Sequence, residues 1–221
     1  MRSARLLAGL LLVATIAAAC GVAADDRAAV VLGAPVSTGT VDALASDEAF
    51  LQAVGVDAAA QPPWLFGHSD GGSIALLHAA RFPARVAGLV VLAPHIMVEE
   101  VSIASIERAR QAYVTTDLRQ RLARHHDDPD SAFRGWNDIW LDPAFRTWSI
   151  VDEIAPIACP MLAVQGLDDE YGTLEQIHGI ARRLPQTELL EIPACGHSPH
   201  RDQPDALERA VADFLTRHGA R

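Results

Sequence analysis

Trp64-Leu65-Phe66-Gly67-His68-Ser69-Asp70-Gly71-Gly72 runs an apolar strand straight into a glycine-bracketed serine, and residues 73–80 then read as a helix ended by Phe82-Pro83. A strand that reverses at once into a helix strains the backbone at the turn, and small residues two places before and after it remove the clashes. Gly67 and Gly71 supply that room around Ser69. The Ser69 hydroxyl is then expected above the carboxyl ends of the strands and at a helix N-terminus, where backbone N–H groups favour a developing anion. Ser69 is thus a candidate nucleophile, set against the alternative of an ordinary Gly/Ser-rich loop.

Working outward, residues 86–93 form a second continuous apolar run, as a strand covered on both faces requires. Residues 160–165 and 187–192 read as two more strands, and residues 28–32 as an early one entering the turn Gly33-Ala34-Pro35. Helical patterns fall at residues 47–54, 173–184 and 204–218. Strands alternating with helices predict an α/β fold with a mostly parallel sheet of about five strands flanked by helices. Residues 95–155 interrupt the alternation with helical periodicity and charged faces, so the core divides into residues 28–94 and 156–221 around a helical insertion.

Two loops after strand ends carry the other chemistry. Val164-Gln165-Gly166-Leu167-Asp168-Asp169-Glu170 offers a carboxylate that accepts a hydrogen bond from an imidazole and holds its tautomer. Asp169 is the preferred position, with Asp168 and Glu170 as alternatives and an acidic solvated loop as the bland reading. Ala194-Cys195-Gly196-His197-Ser198-Pro199-His200 offers a histidine to take the serine proton and return it to a leaving group. His197 fits best and His200 is the substitute. Serine, acid and histidine follow one another in the chain order of a known triad.

Together these three stretches resemble the α/β-hydrolase family from about residue 47 to the C-terminus, as a serine-nucleophile, capped member. The resemblance implies that residues 95–155 are a cap over the active site and that Ser69 attacks an acyl carbonyl. It further implies that His197 is base and acid, that Asp169 orients it, and that water resolves the acyl-enzyme without a cofactor or metal. The expected substrate is a small carboxylic ester, lactone or related acyl compound. The N-terminal third departs from the family pattern, which has a His-Gly turn after an early strand and further strands before the elbow. The resemblance leaves the oxyanion hole to the backbone N–H of Asp70 and of Gly33 or Ala34. It also leaves an alternative: a catalytically impaired or non-catalytic hydrolase-like domain with a truncated N-terminus.

Composition narrows the partners. The 221 residues carry a formal net charge of −10, and every one of the 18 basic residues is arginine, so no basic face is set aside for nucleic acid. The three cysteines, Cys20, Cys159 and Cys195, lack the paired spacing of a zinc site or a disulfide framework. His125-His126-Asp127-Asp128 has metal-ligand residue types but reads as a hydrophilic turn, and Trp136, Trp140 and Trp148 read chiefly as packing residues. Arg2 and Arg5 precede an apolar run over residues 6–19 that ends in small residues before Cys20. Residues 1–20 therefore read as an export signal with a lipid anchor at Cys20, the alternative being the first helix of a cytoplasmic protein.

Overall fold

The computed structural model describes Leu12–Thr15 and residues 57–59 and 62–219. Its centre is a five-stranded, wholly parallel sheet in which β1 (Leu12–Thr15), β2 (Trp64–His68), β3 (Gly88–Leu92), β4 (Met161–Gly166) and β5 (Thr187–Ile192) lie side by side in chain order. Helix α1 (Asp70–Arg81) follows β2 directly, and α5 (Glu175–Arg183) joins β4 to β5. Between β3 and β4 come α2 (Glu100–Thr115), α3 (Leu118–Leu122), α4 (Pro129–Trp140) and a 3-10 turn, Pro143–Thr147. Short α6 (Pro199–Asp202) and then α7 (Pro204–Arg217) complete the described chain.

The apolar runs of β3 and β4 are continuous because both faces of the sheet are covered. Leu89 and Val91 of β3, with Met161 and Ala163 of β4, point into a core shared with Leu76 of α1 and Ile177 and Ile180 of α5. Their neighbours Val90, Leu92, Leu162 and Val164 point the other way, into a core closed by Leu207 and Phe214 of α7. The strand period of two sends alternate residues to opposite faces, so each strand needs apolar residues throughout. β5 has one neighbour in the sheet and is only partly buried, which explains its mixed sequence Thr187-Glu188-Leu189-Leu190-Glu191-Ile192.

The four strands expected after residue 62 are present, with ends that shift by one or two residues. The fifth strand comes from a different place: β1 is formed by residues 12–15, within the apolar run that reads as an export signal. Its pairing with β2 puts Thr15 beside His68, one residue before Ser69. The expected early strand at 28–32 and helix at 47–54, together with Gly33, Ala34, Cys20 and the rest of the signal-like segment, lie outside the described residues.

In the segment between β3 and β4, α4 starts where Asp128 caps it, accepting from the Ser131 N–H at 3.0 Å, with Pro129 at the first helical position. Tyr113 of α2 stacks on Phe133 of α4 with ring centroids 3.9 Å apart, and Asn137 of α4 donates to the Ile106 carbonyl of α2 at 3.0 Å. Trp136 packs in the same cluster, whereas Trp140, buried with Phe145 and Trp148 around it, reaches His95 and Asp70 at the start of α1. His125 and His126 sit in a turn at the surface side of this segment.

Candidate active site

The reversal after β2 puts Ser69 at φ 55° and ψ −127°, a left-handed conformation that a residue with a Cβ adopts only under constraint. The constraint is visible. Ser69 N–H donates to the Leu92 carbonyl at 2.9 Å, and the Ser69 carbonyl accepts from Gly72 N–H at 2.8 Å. Gly67 is required because a Cβ there would lie 2.3 Å from the Gly71 carbonyl oxygen. The backbone of Gly71 packs directly on Gly67, so the turn closes only with a residue lacking a Cβ at 67.

The loops after β4 and β5 meet at the same edge. Gly166 ends β4 where a Cβ would lie 2.1 Å from the Cys195 carbonyl oxygen, so the two loops touch backbone to backbone. That contact brings His197 between Ser69 and Asp169. Ser69 Oγ lies 2.9 Å from His197 Nε2, and His197 Nδ1 lies 2.9 Å and 3.1 Å from the two Asp169 oxygens. An ionised carboxylate only accepts, so Nδ1 carries the ring proton and Nε2 is free to accept from the Ser69 hydroxyl. All three side chains are buried or nearly so, the Asp169 side chain at 1% exposure.

Of the alternatives, Asp168 is exposed and uses its N–H to hold the Cys195 carbonyl at 2.9 Å. Glu170 accepts from the His197 backbone N–H at 3.2 Å and so supports the histidine loop. His200 packs its ring edge on His68, with centroids 4.9 Å apart, and makes no hydrogen bond to Ser69 or Asp169 among the described residues. The Asp70 N–H, first in α1, donates to no acceptor among the described residues and stands beside Ser69.

Several contributing residues carry no motif in the sequence. Gln165, fully buried at the end of β4, donates to Asp169 Oδ2 at 3.1 Å and to the Gly172 carbonyl at 2.9 Å. Tyr171 N–H donates to Asp169 Oδ1 at 2.8 Å, and the Tyr171 ring lies against His197. His68 Nε2 donates to the His197 carbonyl at 2.7 Å, pinning the histidine loop to the elbow. A polar glutamine one residue before the end of a wholly buried strand is the one sequence signal that could find Gln165.

Electrostatics separate these groups. Burial alone would raise Asp169, but the N–H and charge of His197, with the Tyr171 N–H, outweigh it and hold the carboxyl below the ordinary range. His68 and His95 are pushed down to about 3, first by burial and then by His197, and remain neutral. Asp70 goes the other way. Burial pushes it up to about 6 against the pull of the Trp140 N–H and of His197. Cys159 and Cys195 are buried thiols pushed up to about 11, chiefly by burial, and so stay protonated.

Comparison with known proteins agrees with this architecture. The alpha/beta hydrolase family matches over residues 5–210. The chain is 24% identical over 190 residues to 2-hydroxy-6-oxo-6-phenylhexa-2,4-dienoate hydrolase of Burkholderia cepacia, covering 75% of this chain and 65% of that protein. It is 30% identical over 105 residues to human protein phosphatase methylesterase 1, covering 45% of this chain and 22% of the relative. The chain thus spans less than two thirds of the length of these relatives. A carboxylesterase structure from Nitrososphaera gargenis superposes with a TM-score of 0.62 at 18% identity, covering 80% of this chain and 71% of the other. The meta-cleavage product hydrolase of Pseudomonas fluorescens gives 0.60 at 18%, covering 79% and 70%. With a match across almost its whole length and a parallel sheet of the same type, the chain belongs to the alpha/beta hydrolase family.

Proposed function

We propose that this protein is a cofactor-independent serine hydrolase acting on a small carboxylic ester, lactone or related acyl substrate through an acyl-enzyme. The observation that carries the reading is the unbroken line from Ser69 Oγ through the His197 ring to Asp169, with contacts of 2.9 Å on each side. In this reading His197 takes the hydroxyl proton as Ser69 Oγ bonds to the acyl carbon. It then gives that proton to the leaving group as the bond to the acyl carbon breaks. Water, deprotonated by the same nitrogen, attacks the acyl-enzyme and frees Ser69. Asp169 stays ionised and stabilises the imidazolium formed in each half.

The oxyanion is assigned to the Asp70 N–H and to a second N–H, with Gly33 or Ala34, outside the described residues, as the sequence-derived choice. The helical segment between β3 and β4 serves as the cap. Its Trp140 stands over the elbow, and Ser69 beneath is only 6% exposed.

A fluorophosphonate probe and a panel of 4-nitrophenyl esters of graded acyl length test the proposal. The wild type is expected to be labelled and to turn esters over, while Ser69→Ala loses both. Equal labelling of the two, or equal turnover by wild type, Ser69→Ala and His197→Ala, overturns the catalytic reading and leaves the non-catalytic domain.

A further inference from the structure

The side chain next to the nucleophile, Asp70, is a carboxylate that the triad does not use. Its Oδ2 accepts from Trp140 Nε1 of the capping segment at 3.3 Å, so it lies between Ser69 and the overlying tryptophan. The groups acting on its charge among the described residues are the Trp140 N–H and His197, with no arginine among them. The polar rings around His197 are His68, His95 and Tyr171, and burial keeps both histidines neutral. Arg201, the cation that acts on His200, is held by Asp202 on the outer side of the histidine loop. Asp169 and Glu170, which accept from the His197 ring and from its backbone N–H, add two more carboxylates around that histidine. One neutral group stays available: His95 Nδ1, buried, without a hydrogen-bond partner among the described residues, on a ring that stacks on His197 and meets Trp140 edge-on.

We propose that Asp70 is a specificity-determining residue that selects uncharged acyl groups and rejects those whose chain carries a carboxylate. Bonded to Ser69 Oγ, an acyl group occupies the space beside Asp70. A second carboxylate beside the partly buried Asp70 meets like charge and, among the described residues, no compensating cation, so its desolvation is not offset. A neutral polar acyl group instead has the unpaired His95 nitrogen as a hydrogen-bond partner. The inference rests on the serine-hydrolase reading and narrows its substrate class.

The test compares 4-nitrophenyl hydrogen adipate, which carries one free carboxylate, with its methyl-capped ester, following nitrophenolate release at pH 8. The wild type is expected to prefer the capped ester by about tenfold or more in kcat/KM, the size of a like-charge contact at partly screened range. Asp70→Asn, and independently Asp70→Ser, should narrow that ratio severalfold, a change that a purely structural role would not produce. If the wild type turns over both esters equally, or if its preference survives in both variants, the selectivity inference is overturned while the hydrolase reading stands. If neither ester is hydrolysed and Ser69 resists the fluorophosphonate, both fall together.

Discussion

Two regions of the site hold an aspartate whose charge His197 feels, and they treat it in opposite ways. The loop after β4 surrounds Asp169 with donors, from His197, Tyr171 and Gln165, and its carboxyl falls below the ordinary range. The elbow after β2 gives Asp70 one donor at 3.3 Å, and its carboxyl rises to about 6. Burial acts on both in the same direction, so the number and closeness of the donors decides the outcome. A carboxylate built to remain charged and one built at the edge of neutrality thus both feel one imidazole.

The comparison breaks first at Asp169. Asp169→Asn leaves a group of similar shape that no longer enforces the tautomer, and kcat should fall by about 10³–10⁴. Steady-state kinetics on a neutral ester measure this, and a loss under tenfold would remove the orienting role.

Next comes stability at the elbow. A carboxyl raised from 3.8 to about 6 binds its proton more tightly folded than unfolded, so burying it costs nothing below pH 3.8. The cost grows between those values and is complete above pH 6, at up to about 3 kcal/mol. Asp70→Asn should therefore raise the denaturation midpoint at pH 8 and lose that advantage near pH 4, as urea unfolding at both pH values would show. Asp169 has the opposite sign. Its contribution is present above its unfolded value and is lost as pH falls through the depressed folded value.

Gln165→Ala sharpens the same contrast by stripping donors from Asp169 and from the Gly172 carbonyl. A loss of about 1–3 kcal/mol in stability is expected, with kcat lowered more than KM is raised. The smallest effect belongs to Trp140→Phe, which keeps the ring and removes the single N–H that Asp70 accepts. It should cost about 1 kcal/mol and move the Asp70 titration further up, readable by carboxyl infrared or NMR titration.

Much of the fold was legible because its local signals agree. Val90 to Leu92 and Leu162 to Val164 are apolar without a break, which only a strand buried on both faces requires. The Gly67-His68-Ser69-Asp70-Gly71 turn is legible because steric exclusion acts within five residues. Asp169 and His197 could be preferred from loops at strand ends, yet Asp168, Glu170 and His200 remained as alternatives, and only the meeting of the two loops separates them. β1 was not legible: a short apolar stretch at 12–15 reads alike as strand, helix or signal until a partner strand pairs with it.

By itself, then, the sequence determined the strained serine, the alternation of strands and helices, and the segment inserted between β3 and β4, because each rests on neighbours a few residues apart. The tertiary structure decided which carboxylate faces His197, that Gln165 and His68 hold the site together, and that Trp140 reaches across to Asp70. The His68–His197, Trp140–Asp70 and Asp169–His197 contacts join residues 129, 70 and 28 positions apart, whereas the role of Gln165 depends on a loop folding back over its own strand. Hydrogen bonds of that kind leave no period in a sequence, since they depend on where separate elements are packed and not on spacing along one of them.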